Sequence, residues 1–188
     1  MRMELALYGI DVAMTGWINA LSGHFRIADM MLVWVSAIGL PLLVAAVALQ
    51  WWSPPDRSNI RHILLSAGLA FLLGLLFNQI LLLGIHRIRP YEAGVSHLLI
   101  APSADPSFPS DHATASFAIA AIFLLHGLRR GYGFLAAAIL VSLSRVYLGT
   151  HYVSDVLGGG ATGIVAALAV FRFYPKGSRI DRFLTNIL

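Results

Sequence analysis

Two histidines and one aspartate stand at spacings that suit nucleophilic catalysis. His151 and Asp155 are four residues apart, so both side chains share one face if a helix begins there. The carboxylate then holds one imidazole nitrogen while the other nitrogen attacks an electrophile. His112 adds a second imidazole, and the pair supplies a nucleophile and a proton donor that both work near neutral pH.

Three arginines accompany these groups without matching carboxylates: Arg87, Arg89 and Arg145. A guanidinium stays charged and offers paired donors in one plane, which suits the oxygens of a phosphate. Phosphate is therefore the expected ligand class, and we predict neither a metal nor a cofactor. Two alternatives stay open. In the first, the histidines and Asp155 bind a metal, although the neighbouring cations disfavour metal binding. In the second, the arginines form the anion filter of a transporter or channel.

The composition indicates a membrane protein. The chain has 188 residues, of which 58% are hydrophobic and 12% charged, whereas soluble domains average about 25% charged residues. It contains no cysteine, which excludes a disulfide scaffold. Its 13 Lys and Arg exceed its 9 Asp and Glu, but these cations lie in short loops between apolar runs. That pattern indicates membrane topology rather than nucleic-acid binding, in one domain over residues 1–188.

Apolar runs predict five membrane-spanning helices that position the polar groups. Residues 30–55 and 63–85 are uncharged runs of 26 and 23 residues, long enough to cross about 30 Å of hydrocarbon. Shorter runs at residues 113–128, 131–144 and 156–171 reach spanning length only with the polar residues at their ends. The last run contains glycines that predict close helix contact, namely Gly158, Gly159, Gly160 and Gly163.

Residues 1–25 differ from these runs, because apolar and polar side chains recur on separate faces at helical spacing. We predict an amphipathic helix along the membrane interface, with a sixth span as the alternative. Its apolar stripe forms either one wall of the substrate's path or a simple surface anchor. The helix bundle then covers residues 27–174, and residues 175–188 form a cytoplasmic tail. The polar face carries Asp11, Thr15, Asn19 and Ser22.

Alternation of five spans places the polar cluster on one side of the membrane. The opposite side receives eight cations on short loops and on the tail, so the positive-inside rule makes that side cytoplasmic. The polar cluster therefore faces the periplasm or the cell exterior. The eight cations are Arg57, Arg61, Arg129, Arg130, Arg172, Lys176, Arg179 and Arg182.

Three short motifs carry a resemblance to a known family. The matching stretches are Phe108-Pro109-Ser110-Asp111-His112, which fits P-S-x-H, and Ser144-Arg145 with His151 and Asp155, which fits S-R-x5-H-x3-D. Arg89 and Pro90 supply the R-P end of a further motif. In order and spacing, the region from about residue 82 to 155 resembles the type 2 phosphatidic acid phosphatase superfamily.

The resemblance implies a role for each matching residue. His151 is the nucleophile that forms a phosphohistidine, and Asp155 orients it. His112 is the general acid toward the leaving group. The residues implied to hold the phosphoryl oxygens are Arg89, Arg145 and Ser110.

Two positions depart from the family pattern. Leu82 stands where the family has a lysine, which removes one phosphate-binding cation and leaves Arg87 or His86 as substitutes. Asp111 replaces the commoner glycine and is expected to raise the basicity of His112 beside it. Both departures are similar to the short bacterial undecaprenyl-diphosphatase branch of the family.

The fold expected from these observations is an all-α integral membrane helix bundle. The resemblance implies metal-independent hydrolysis of undecaprenyl diphosphate to undecaprenyl phosphate and orthophosphate. Phosphatidic acid or phosphatidylglycerol phosphate is the alternative substrate. The expected place is the bacterial cytoplasmic membrane, with the lipid and the bilayer as partners and no nucleic acid.

Overall fold

The computed structural model describes residues 2–52 and 57–186, and every regular element in this part of the chain is helical. A short 3-10 turn at Leu49–Trp52 continues the second helix. The predicted all-α fold is thereby confirmed. The seven α-helices are α1 (Arg2–Asn19), α2 (Arg26–Ala48), α3 (Arg57–Leu82), α4 (Asp111–Leu125), α5 (Gly131–Tyr147), α6 (Val153–Phe173) and α7 (Arg179–Asn186).

Three of the described helices are long and apolar enough to cross a membrane: α3, α6, and α2 together with its 3-10 turn. The end of the first predicted run, residues 53–55, lies outside the described residues. α4 and α5 have 15 and 17 residues, or about 22 and 26 Å at 1.5 Å per residue. Both are apolar, and five spans stay the prediction. α1 is not among the three long apolar helices.

α4 lies at the centre of the bundle and contacts α3, α5 and α6. Its small and apolar side chains are buried on most sides, and Ile122 belongs to the main core. The glycines of α6 let the two helices approach closely. A Cβ at Gly159 would overlap the carbonyl oxygen of Ser110, and one at Gly163 would overlap that of Thr114. The predicted close contact is confirmed, and it sets the first turns of α4 and α6 side by side.

Helices of alternating direction bring four helix ends together. The last turns of α3 and α5 meet the first turns of α4 and α6, and we call this the site end of the bundle. At the opposite end, the tail folds back as α7. The buried carboxylate of Asp181 lies 2.8 Å from Nδ1 of His62 on α3 and accepts a hydrogen bond from the hydroxyl of Tyr174.

α1 lies at the site end with its polar face turned toward the protein. Thr15 is completely buried and Asn19 is 5% exposed, whereas Leu7, Ile10 and Trp17 are exposed. The sequence predicted two separate faces, and both are present. The polar face contacts the loops around the site rather than water, because backbone N–H and C=O groups of those loops need its hydrogen bonds.

Candidate active site

A polar cavity of about 240 Å³ opens at the site end. It lies among the ends of α3, α4 and α5 and the loops that precede α4 and α6. It brings together both histidines and two of the three arginines that the sequence singled out. The residues that line it are Gln79, Leu82, Arg89, Ser103, Asp105, Pro106, Pro109, Asp111, His112, Arg145 and His151.

The backbone holds the imidazole of His151 in one tautomer. Its Nδ1 lies 2.8 Å from the carbonyl oxygen of Ser107, and a carbonyl only accepts, so Nδ1 carries the proton. Nε2 then carries the lone pair, and it lies 3.4 Å from Nη1 of Arg89. Nε2 is therefore the nitrogen that is able to attack a phosphorus atom held in the pocket.

Burial lowers the pKa of His151, and the positive charges of Arg145 and Arg89 lower it further. The carboxylate of Asp155 raises the pKa but does not outweigh these effects. The ring consequently stays neutral at neutral pH and keeps the lone pair that a nucleophile needs.

Asp155 lies beside His151 without a hydrogen bond to it. Its Oδ2 is 3.7 Å from Nδ1 of the ring. Oδ2 accepts instead from the hydroxyl of Ser107 at 2.5 Å and from the backbone N–H of Tyr152 at 2.8 Å. The expected direct contact is thus replaced by one through Ser107, whose hydroxyl binds the carboxylate and whose carbonyl binds the ring. Asp155 is fixed there because an acid in the first turn of α6 caps a free N–H.

Backbone and side-chain acceptors hold the guanidinium of Arg89, which is 5% exposed. Nε donates to the carbonyl oxygen of Asp105 at 2.8 Å, and Nη1 donates to that of Thr150 at 2.9 Å. Nη2 lies 3.2 Å from the hydroxyl of Ser103. These contacts fix the plane of the Arg89 guanidinium beside His151.

Arg145 reaches the pocket from the last turn of α5 and has fewer partners. Nη1 donates to the hydroxyl of Ser36 on α2 at 2.5 Å. Nε is buried and has no hydrogen-bond partner in the described part of the chain. Its remaining donors suit the oxygens of an anion in the pocket.

His112 enters the pocket from the first turn of α4. Its half-buried ring makes no hydrogen bond within the described residues, which leaves it available to a ligand. The neighbouring Asp111 is engaged by α3, since the amide of Asn78 donates to its carboxylate at 2.6 Å. The same amide nitrogen donates to the hydroxyl of Thr114 at 2.9 Å.

The structure contradicts the expected position of Arg87. Its Nη1 donates to Asp155 at 2.7 Å and its Nη2 to Asp11 at 2.6 Å. The guanidinium also lies 3.8 Å over the ring of Tyr152 and does not line the pocket. The expectation that the arginines lack matching carboxylates is wrong for Arg87, because the fold brings two distant acids to it.

His86 and Ser110 do not line the pocket either. His86 is exposed in the loop that follows α3. Ser110 is completely buried, its backbone N–H donates to the carbonyl oxygen of Asp155, and its hydroxyl has no partner among the described residues.

Leu82 itself lines the pocket, and neither Arg87 nor His86 replaces the family's lysine there. The neutral amide of Gln79, one turn earlier on α3, is the polar group beside it.

Sequence reasoning missed Ser107, Asn78 and Gln79. The two amides could have been found from the sequence, because they are neighbouring polar residues inside a run of 23 uncharged residues. Ser107 could not, since its contact with His151 is made by its backbone carbonyl.

In residues 2–52 and 57–186, no three His, Asp or Glu side chains are arranged to hold a metal ion.

The chain matches known proteins over the same region. The model of the PAP2 superfamily matches residues 63–179, which include every residue that lines the pocket. The chain therefore belongs to the PAP2 superfamily, as its motifs predicted. It is a membrane-embedded hydrolase that acts on phosphate esters or diphosphates.

Individual proteins that resemble this chain include two bacterial relatives and one solved structure. The chain is 32% identical over 156 residues to the undecaprenyl-diphosphatase BcrC of Bacillus subtilis, covering 83% of this chain and 80% of that one. It is 26% identical over 170 residues to the bacitracin transport permease protein BcrC of Bacillus licheniformis, covering 90% and 83%. The crystal structure of a transmembrane PAP2-type phosphatidylglycerolphosphate phosphatase from Bacillus subtilis matches with a TM-score of 0.69 and 27% identity, covering 93% and 89%.

Proposed function

We propose that this protein hydrolyses undecaprenyl diphosphate to undecaprenyl phosphate and orthophosphate through a phosphohistidine. The observation that carries the proposal is the convergence of Arg89, Arg145, His112 and His151 in one polar pocket at the ends of apolar helices. Two guanidiniums balance the charge of phosphoryl oxygens, and two imidazoles supply attack and proton transfer.

The first step is attack by Nε2 of His151 on the terminal phosphorus. The bond from that phosphorus to the bridging oxygen breaks, and His112 gives its proton to the leaving oxygen of undecaprenyl phosphate. In the second step, neutral His112 takes a proton from a water molecule that attacks the phosphohistidine. Orthophosphate leaves, and both imidazoles return to their starting states. Arg89 and Arg145 hold the other phosphoryl oxygens throughout.

The position of the pocket supports a substrate with an apolar tail. Leu82 lines the pocket, while the next residue, Leu83, is 83% exposed, and Ile85 and Ile88 are exposed as well. The mouth of the pocket thus borders an apolar outer surface. A lipid phosphate reaches it with its tail still in hydrocarbon, which avoids about 0.8 kcal/mol for each CH₂ brought into water.

The 32% sequence identity to an undecaprenyl-diphosphatase favours undecaprenyl diphosphate as the substrate. The structural match to a phosphatidylglycerolphosphate phosphatase supports a second candidate, phosphatidylglycerol phosphate. Phosphatidic acid belongs to the same class of lipid phosphates. All three present a terminal phosphoryl group that fits the same two guanidiniums.

We place the enzyme in the bacterial cytoplasmic membrane with the pocket facing the periplasm or the cell exterior. The loops, helix ends and tail opposite the pocket carry eight cations, which the positive-inside rule assigns to the cytoplasm. They are Arg57, Arg61, Arg129, Arg130, Arg172, Lys176, Arg179 and Arg182.

Release of orthophosphate by the purified protein in detergent tests the proposal. We expect turnover of undecaprenyl diphosphate in excess EDTA, with a higher kcat/KM than for phosphatidylglycerol phosphate or phosphatidic acid. The matched control is His151→Gln from the same preparation, which should release none. A higher kcat/KM for a monophosphate lipid would overturn the substrate. Equal phosphate release by His151→Gln, or no release by the wild-type protein, would overturn the reaction.

A further inference from the structure

α1 supplies a second carboxylate to the region behind the nucleophile. Asp11 accepts from the backbone N–H of Ser154 at 2.9 Å and from its hydroxyl at 2.5 Å. It also accepts from Nη2 of Arg87 at 2.6 Å. Nη1 of the same arginine donates to Oδ1 of Asp155 at 2.7 Å. One guanidinium therefore joins the carboxylate of Asp11 to the carboxylate of Asp155.

These three groups are shielded from water. The side chains of Asp155, Asp11 and Arg87 are 0%, 11% and 22% exposed. Burial disfavours the charged guanidinium, but the two carboxylates outweigh this effect and hold the pKa of Arg87 above its usual value. The trio thus carries two negative charges and one positive charge, a net charge of minus one.

Other polar residues of α1 fix the same face to the site. Thr15 accepts from the backbone N–H of Val153, the first residue of α6. Asn19 donates to the carbonyl oxygen of Tyr147 at 2.8 Å and accepts from the backbone N–H of His97 at 2.6 Å. The helix is therefore attached through separate loops, and Asp11 does not reach the site by a single chance contact.

We infer that Asp11 is a positioning residue for the hydrolytic reaction, acting through Arg87 on Asp155 and thereby on His151. Attack on phosphorus places a positive charge on the imidazole of His151, which a negative charge behind the ring stabilises. If Arg87 paired with Asp155 alone, the two charges would cancel. Asp11 shares the guanidinium, so Asp155 keeps its negative charge toward the ring. This inference rests on the proposed phosphohistidine.

The charges that face His151 from the other elements do not duplicate this effect. Arg89, in the loop between α3 and α4, and Arg145 on α5 are positive, and the imidazole of His112 on α4 also faces the pocket. Two further carboxylates line the pocket, Asp105 and Asp111, and the amide of Asn78 donates to Asp111. The carboxylate that lies within 4 Å of a ring nitrogen of His151 is Asp155, with Asp11 behind it. Removing the charge of Asp11 should therefore make the ring harder to protonate.

Asp11→Asn tests the inference, because the amide has the shape of the carboxylate without its charge. We expect kcat to fall about tenfold on both undecaprenyl diphosphate and a short water-soluble phosphate ester, which corresponds to about 1.4 kcal/mol. KM should be nearly unchanged, and the acid limb of the pH profile of kcat/KM should move to lower pH. Asp11→Glu should restore the limb because it restores the charge. Thr15→Val, which loses a hydrogen bond of the same face but no charge, should leave the limb in place.

A double-variant cycle that combines Asp11→Asn with Arg87→Gln gives a second readout, which does not depend on how much folded protein each variant yields. If Asp11 acts through the guanidinium, Asp11→Asn should have little effect on kcat and on the acid limb in the Arg87→Gln background. Equal effects in both backgrounds, or an unmoved limb in Asp11→Asn, would overturn the inference. So would a rise in KM for the lipid alone, which instead indicates that α1 is a wall of the substrate's path. Absence of turnover in the wild-type protein would refute the proposed function itself.

Discussion

At His151, a backbone carbonyl determines which ring nitrogen is able to react. Ser107 accepts the proton of Nδ1, so the lone pair of Nε2 points toward Arg89 and the pocket. The low pKa of the ring, caused by burial and then by the two arginines, keeps this lone pair free at neutral pH. As the proposed nucleophile, His151 therefore needs no prior removal of a proton.

This environment predicts the pH dependence of the reaction. A histidine whose pKa is lowered stays neutral as the pH falls, and it loses its lone pair only when the pH passes through the lowered pKa. We expect the acid limb of kcat/KM to lie below 6.5, the ordinary value for histidine. The profile should be measured with two substrates whose phosphate groups titrate at different pH. A shared limb above 6.5 would contradict the neutral ring.

Ser107 links the carboxylate of Asp155 to the ring of His151, so its hydroxyl should matter to the rate. Ser107→Ala removes the donor to Asp155 but keeps the backbone carbonyl that holds the ring. We expect kcat to fall with little change in KM, by roughly the 1.5–3 kcal/mol of a hydrogen bond to a charged group. Ser103→Ala is the control, because Arg89 keeps two other acceptors there. Equal losses in both variants would contradict a linking role for Ser107.

Sequence spacing predicted which polar residues meet in the pocket. It predicted less well which residues form hydrogen bonds and ion pairs with the groups around the pocket. Arg89, Arg145, His112 and His151 lie together because their motifs sit at helix ends that alternate in direction. The contact between Asp11 and Ser154 joins residues 143 positions apart, and no local pattern encodes such a distance. For the same reason the pairing of Arg87 with Asp11 and Asp155, away from the pocket, did not follow from the sequence.

At the scale of helices, the contact between α4 and α6 positions the site. The two glycines of α6 place its first turn against that of α4, and hence Asp155 against the loop that holds Ser107. Glycine is required there because a larger residue would meet backbone atoms, which cannot rotate away as a side chain can.

Substitution of one glycine tests this requirement. Gly163→Ala forces a Cβ against the carbonyl oxygen of Thr114, and we expect a loss of stability of about 1–3 kcal/mol. The measurement is the midpoint of thermal unfolding in detergent, together with kcat. Gly133→Ala on α5 is the matched control, since nothing lies within 4 Å of its added Cβ. An unchanged midpoint in Gly163→Ala would show that the helices are not held at this distance.

The existence and order of α2 to α6 followed from hydrophobic runs, and the predicted bounds of α4, α5 and α6 agree with the structure within about three residues, whereas α7 lies in the segment predicted as a tail. The role of α1 did not follow. Its sequence has an apolar and a polar face, which is typical of a helix at a membrane interface. Burial of Thr15 and Asn19 against loops reflects tertiary hydrogen bonds, which amphipathic spacing alone does not reveal.

At the scale of the molecule, the two ends of the bundle should lie on opposite sides of the membrane. The chain lacks cysteine, so single cysteines report accessibility cleanly. We expect Ala93→Cys, exposed at the site end, to react with an impermeant thiol reagent in intact cells. Tyr132→Cys, at a position 69% exposed near the opposite end, should react only after lysis. The reverse pattern would place the pocket in the cytoplasm.

The proposed reaction requires that Nε2 of His151 carries the phosphoryl group during turnover. The most direct test is rapid acid-free quenching of the enzyme with undecaprenyl diphosphate labelled in its terminal phosphate. We predict label on His151 that is lost in acid and stable in alkali, and that is absent from His151→Gln. Absence of label from the wild-type protein during a turnover burst, or label on another residue, would contradict the account.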